Sequence, residues 1–221
     1  MGKKAIILGI TGLTGTVLAK QLFEDDDYAE VISFHRRKSG LKHPKLTEHV
    51  VDLFKLEKEA ARFQADVVFS CIGTTKAKTE DKKTYKAIDY GIPLQAAQLC
   101  KANGIATFIA ISALGADADS RIFYNRTKGE MQRDILQLSI KNCYFMQPAL
   151  LAGDREESRT AENFAIGIFK IINPLLLGPL RKYRSINPMK TAKTMRFVAK
   201  NGYIKPLIES NEIQQIADEN A

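Results

Sequence analysis

Cysteine and histidine are scarce in this chain, with three of each among 221 residues. Cys71, Cys100 and Cys143 are odd in number, widely spaced and set among apolar neighbours, and no CxxC pair or Cys/His group at zinc spacing occurs. That pattern argues against a disulfide framework or a zinc centre and reads as reduced core thiols. His35, His43 and His49 form no HExxH, so no metal is expected. Long apolar runs are also missing. The nearest, residues 164–177, is interrupted by Lys170, Asn173 and Pro174, whereas a membrane span needs roughly 18 apolar residues. The apolar run near the N-terminus is too short for a secretory leader, and the Met-Gly start lacks the Ser or Thr of a myristoylation signal. A cytoplasmic protein with no membrane partner is expected. Internal repeats and low-complexity stretches are absent.

What is present is positive charge: a net +8 and a pI of about 9.3. The Lys and Arg residues are spread along the chain among Asp and Glu, as in KLEKEAARF and TEDKKTYK. A nucleic-acid surface more often gathers its basic residues on one face, so nucleic acid is disfavoured as a partner. An anionic ligand accounts for a modest basic excess equally well.

Short β-branched runs alternate with longer amphipathic ones, the pattern of a parallel sheet covered by helices on both faces. Strands are expected at residues 5–10, 31–34, 47–53, 66–73, 106–112 and 143–151, with helices near 13–24, 55–63, 82–103 and 122–139. Six β-α units joined by right-handed crossovers define an α/β doubly wound parallel sheet, the Rossmann fold, with its ligand at the carboxyl ends of the strands. Residues 1–151 form this dinucleotide-binding domain. Residues 152–221 read as a small helical extension of the same compact unit that closes the substrate side. Its helical stretches are AENFAIGIFKII, PMKTAKTMRFVAKNG and PLIESNEIQQIA.

The segment GITGLTG (residues 9–15) lies between the first buried run and the first amphipathic one. Gly9 permits a tight turn, Gly12 lets backbone amides approach a pyrophosphate, and Gly15 allows the helix to pack close on the strand. Thr11 and Thr14 offer hydroxyls to the phosphates, with Leu13 between them. No Lys-Ser/Thr follows the glycines, which excludes a P-loop. About 20 residues on, where an NAD site carries Asp or Glu for the ribose, the chain has Phe34-His35-Arg36-Arg37. Guanidinium groups pair with a 2′-phosphate that a carboxylate would repel. NADP(H) is therefore the expected cofactor, anchored by Arg36 and Arg37. Asp52 and Leu53 are placed to bracket the adenine, and Gly73, Thr74 and Thr75 to line the ribose and pyrophosphate.

Tyr124 and Lys128 stand one helical turn apart on one face. A phenol near pKa 10 is a poor acid or base at neutral pH; a neighbouring ammonium favours the phenolate and lowers that value. Lys128 can also hold the nicotinamide ribose. Ser112 ends the fifth strand twelve residues before Tyr124, where its hydroxyl can bond a substrate oxygen. Pro148 and Leu151 pass beside the nicotinamide. Asp154, Arg155 and Arg159 lie at the mouth, either recognising an anionic or polar substrate or fixing the loop by an internal salt-bridge network.

The glycine turn, the strand-end Ser112 and Tyr124-x3-Lys128, in this order, resemble a short-chain dehydrogenase/reductase of the atypical or extended kind. SALGAD (residues 112–117), Phe123-Tyr124, Lys128-Gly-Glu130, QPALL (147–151) and DREESR (154–159) are similar to the Tat-interacting oxidoreductase-like proteins and their microbial relatives, over the chain to about residue 215. The resemblance implies a Rossmann fold, bound NADP(H) and a retained Ser/Tyr/Lys triad. Two departures stand out. Ala113 occupies a place where such proteins often carry a second Ser, and the Asn of the proton relay has no clear match, although Asp89 lies nearby. The function expected is NADP(H)-dependent oxidoreduction, or chemistry like that of a sugar-nucleotide epimerase, at a carbonyl or hydroxyl carbon of a small molecule, by a monomer or homodimer. The alternative is an NADP(H)-sensing regulatory or interaction protein with little turnover.

Overall fold

The computed structural model describes residues 2–149 and 182–220. Strand β1 (Lys3–Leu8) leads through the glycine turn into helix α1 (Leu13–Phe23), and β2 (Tyr28–His35) and β3 (Leu46–Val50) follow. A 3-10 turn (Leu53–Glu59) precedes β4 (Val67–Ser70). Helix α2 (Lys82–Lys86), a π turn (Ala87–Gly91) and α3 (Ile92–Ala102) then run on without a break. The remaining elements are β5 (Thr107–Ile111), α4 (Phe123–Gln137), β6 (Asn142–Gln147), α5 (Pro188–Asn201), β7 (Leu207–Glu209) and α6 (Ser210–Glu219). The described strands form one parallel sheet in the order β3-β2-β1-β4-β5-β6-β7. This is the doubly wound fold that the alternating pattern predicts.

Its central strands are apolar on both faces because both faces are covered. Ile7, Val31, Phe69, Ile109 and Met146 pack under α1, α5 and α6 through Leu18, Leu22, Met195 and Ile213. The alternate residues, Ile6, Phe34, Val68, Phe108 and Phe145, pack under α3 and α4 through Ala96, Cys100, Met131 and Ile135. Burial pushes the thiols of Cys71, Cys100 and Cys143 up to about 12, so they stay protonated at neutral pH. All three are free.

Three elements differ from the sequence expectation. Residues 206–217 read as one helix, but Leu207–Glu209 pairs with β6 as a seventh strand and the helix starts only at Ser210. A reciprocal capping box between Glu209 and Glu212 sets that start. The expected helix at 55–63 is instead the 3-10 turn, with a kink at Lys55. Asp52 caps it, and the Leu56 amide donates to Gln95 Oε1 on α3. The helix expected at 82–103 is interrupted by its π turn, which carries the buried Asp89. Among the described residues no helix is long and apolar enough to cross a membrane, and no group of ligating side chains could hold a metal.

Candidate functional site

The strand order reverses between β1 and β4, so their carboxyl ends frame the crevice where doubly wound sheets hold ligands. Gly9, leaving β1, has φ of 81°, a region that disfavours any Cβ. A Cβ there would also lie 2.7 Å from the Cys71 carbonyl oxygen beyond β4. At Gly15 a Cβ would overlap the Gly9 carbonyl. These two positions bring turn, helix and neighbouring strand together without side chains between them. Gly12 caps α1 with no side-chain bond, leaving the first amides of the helix for a ligand. Thr14 is buried, and its hydroxyl has no partner among the described residues. Thr11 is exposed and Leu13 half-buried at the same turn. An unpartnered hydroxyl, open helix amides and a cradle that a Cβ would fill suit a pyrophosphate.

Beyond β2, Arg36 and Arg37 are exposed, and no carboxylate among the described residues pairs with either. Asp52 accepts the Phe54 amide and keeps part of its carboxylate in solvent, while Leu53 is buried in the core. Beyond β4, the exposed Gly73 passes the Asp89 and Lys128 side chains: a Cβ on it would be 3.5 Å from Asp89 Oδ1 and 3.9 Å from Lys128 Nζ.

Asp89 and Lys128 form an ion pair at this edge. Both are buried, with Nζ 2.8 Å from Oδ1. The other oxygen, Oδ2, accepts the Thr74 amide at 2.8 Å. One carboxylate therefore holds Lys128 and the loop leaving β4 together. The π turn places it there, as the widened turns of such segments often do at functional sites. Lys86–Glu130 at 2.6 Å and Tyr90 Oη donating to Asp134 fix the same helix against α4.

Tyr124 opens the first turn of α4, 40% exposed, one turn before Lys128. Its phenol is pushed above its usual value, chiefly by burial; the Lys128 ammonium pulls it down and the Asp89 carboxylate adds to the rise. Lys128 thus acts on the phenol in the direction the sequence predicts, but the net value is raised rather than lowered. The cause is desolvation, which outweighs the pull of Lys128, with Asp89 adding a smaller rise.

Ser112 is buried at the end of β5 and accepts a hydrogen bond from Gln132 Nε2. Gln132 Oε1 in turn accepts from Gln147 Nε2 at 3.3 Å. Gln132 escaped the sequence reading, although its place one turn beyond Lys128 on α4 was a usable signal. Tyr124 and Lys128 come together with Asp89 and Gly73, whereas Ser112 is tied to Gln132. Pro148 is buried, and its carbonyl accepts the Leu114 amide. Leu151, Asp154, Arg155, Arg159 and the AENFAIGIFKII segment lie outside the described residues.

Beside Tyr124 is a cavity of about 430 Å³ between the loop leaving β4 and the start of α4, lined by Thr74, Tyr85, Phe123 and Tyr124 among others.

Residues 9–142 match a family model described as NAD(P)H-binding. The mitochondrial protein FMP52-1 of Scheffersomyces stipitis is 33% identical over 175 residues, 76% of each chain. Rat protein HTATIP2 is 34% identical over 171 residues, 76% of this chain and 70% of its own. A UDP-glucose 4-epimerase from Thermotoga maritima superposes with a TM-score of 0.70 over 98% of this chain and 82% of its own, at 14% identity. WbmH of Bordetella bronchiseptica, solved with NAD+, gives 0.69 over 91% and 73%, at 16% identity. These two structures share the fold. With the switch-point glycine turn, the matched family model and the curated relatives in agreement, the chain belongs to the NAD(P)H-binding family of atypical short-chain dehydrogenase/reductases.

Proposed function

We propose that the chain is an NADP(H)-dependent oxidoreductase acting at a carbonyl or hydroxyl carbon, with Tyr124 transferring the proton. The observation that carries this reading is the buried Asp89–Lys128 pair, one helical turn below Tyr124 and against the Gly73 backbone. Burying two charges is costly unless they are well paired, and this pair stands at the ligand edge of the sheet.

When bound, NADPH would supply the hydride for the carbonyl carbon, being oxidised to NADP+. The phenol of Tyr124, held protonated, gives its proton to the carbonyl oxygen, so the product is the alcohol. Ser112, accepting from Gln132, keeps its own hydroxyl proton to donate toward that oxygen as negative charge grows on it. Lys128, held beside Asp89, would hold the ribose hydroxyls through its N–H donors. Arg36 and Arg37 support the phosphate-bearing cofactor: both are exposed, residues 36–45 carry no carboxylate of their own, and the nearby Glu48 of β3 accepts from the Ser39 amide and hydroxyl.

Two measurements test this. In a titration of tryptophan-free protein by reduced-nicotinamide fluorescence, NADPH should bind more tightly than NADH, and Arg36→Ala should narrow the difference by about tenfold, the value of one lost charged contact. Equal affinities in the wild type would remove the NADP(H) assignment. Across a panel of aldehydes and ketones, Tyr124→Phe should abolish NADPH consumption while leaving NADPH affinity in place; undiminished turnover would overturn the role of Tyr124.

A further inference from the structure

The cavity beside Tyr124 has walls held by several independent contacts. Tyr85 Oη donates to the Thr74 carbonyl at 3.2 Å, and the Thr74 and Thr79 hydroxyls meet at 3.0 Å. The Thr79 amide donates to the Thr75 carbonyl, and Asp89 holds the Thr74 amide. The Tyr85 and Phe123 rings pack edge to face at 5.6 Å. Burial holds the Tyr85 phenol well above its usual range, so it stays neutral. The loop leaving β4 is thereby tied to α2 and the π turn, and α2 in turn to α4. The cavity is bounded by these elements. Its volume of about 430 Å³ falls within the span of small-molecule sites, about 300–1,000 Å³.

Tyr85, Ile122, Phe123 and Tyr124 give the lining an apolar and aromatic wall, and three threonines with Lys76 and Lys82 add polar and cationic groups. Lys82 Nζ stands 5.7 Å from the centroid of the Phe123 ring, a cation–π distance that keeps the ammonium over the aromatic wall. No carboxylate among the described residues pairs with Lys76 or Lys82, although Glu80 also lines the cavity. An aromatic wall, a proton donor and two unpaired cations define one kind of occupant.

We propose that this cavity is the substrate side of the site and takes a carbonyl compound whose apolar body, aryl or short alkyl, carries an anionic group. The carbonyl meets Tyr124, the body lies against Phe123 and Tyr85, and the anion is met by Lys82 and Lys76. The inference rests on the oxidoreductase reading for its carbonyl; the apolar anion stands without it.

The test uses 4-carboxybenzaldehyde and the uncharged methyl 4-formylbenzoate, with NADPH and the full chain. NADPH consumption gives kcat/KM for each, and NMR saturation transfer in the presence of NADPH gives binding of the non-reducible terephthalate. The carboxylate is expected to be preferred by about tenfold, the strength of one charge-assisted contact, and Lys82→Ala should bring that ratio toward one. Lys82 is exposed, so its removal does not disturb the core. Lys82-dependent terephthalate binding without consumption of either aldehyde would uphold the cavity assignment and overturn the oxidoreductase reading. Equal turnover of both aldehydes, unchanged in Lys82→Ala, would overturn the cavity assignment and leave the oxidoreductase reading intact. Failure of terephthalate to bind, with neither aldehyde preferred, would also overturn the assignment.

Discussion

At Gly15 the smallest side chain decides both packing and binding. An added methyl group would meet the backbone carbonyl of Gly9, which cannot yield as a flexible side chain can. Gly15→Ala is therefore expected to push α1 off β1, costing about 1–3 kcal/mol as an overpacked contact does and weakening NADPH. Urea unfolding and a cofactor titration on the same sample would check both effects. His35, just before Arg36 and Arg37, acts on stability through pH. Its ring is buried, with Nε2 3.3 Å from Glu48 Oε1 but without hydrogen-bond geometry. Burial, the largest influence, holds the imidazole below its usual 6.5; Glu48 opposes this and His49 adds to it. A base with a lowered folded pKa binds fewer protons in the folded chain than in the unfolded one. Its stability is full above the unfolded value and lost as pH falls through 6.5 toward the folded value. His35→Gln should therefore lose less thermal stability than the wild type between about pH 7 and pH 5. Equal losses would remove His35 as the cause.

Among the elements, the long segment after β4 shows where the sequence was legible and where it was not. Apolar spacing announces a helix there, and that spacing is all the core requires of Ile92, Ala96 and Cys100. It does not announce the π turn, because Asp89 on a helix reads as a solvated charge unless its partner Lys128, far along the chain, is known to lie opposite. The glycine turn was legible because its demands are local, fixed by close backbone approach. The order of Ser112, Tyr124 and Lys128 along the chain was legible, but the Gln132 contact to Ser112 depends on how α4 lies against β5. The short β7 was hidden for the same reason: three residues in front of a strong helix cap hold too little pattern to separate strand from helix. The ion pair itself is testable. Asp89→Asn leaves Lys128 buried without its counter-charge and should cost about 3–5 kcal/mol. Adding Lys128→Met should recover much of that loss, giving a large coupling energy in a double-mutant cycle of unfolding. Additive losses would mean that the two groups do not act as a pair.

Across the molecule, the segment after residue 182 is built into the sheet. Strand β7 adds to β6, and α5 and α6 cover the face that α1 covers, with Met195 and Val198 in the same core as Leu18 and Leu22. Arg196–Asp25 and Lys200–Asp27, at 3.2 and 2.6 Å, join α5 to the turn before β2. Such partly exposed pairs are worth little singly, so the apolar contact carries the attachment. If α5 is a structural member of the Rossmann core, its loss must be felt by the whole chain. Met195→Ala removes a fully buried side chain and should destabilise by about 2–5 kcal/mol, through lost transfer energy and the cavity left behind. Tyrosine fluorescence and far-ultraviolet circular dichroism should then report one shared transition, shifted to lower urea with its slope kept. NADPH should raise that transition in wild type and variant alike, because a ligand that binds only the folded state stabilises everything that unfolds with its site. An appendage would behave differently: Met195→Ala would split the curve, leaving the NADPH-sensitive transition at its wild-type midpoint and moving only a second one.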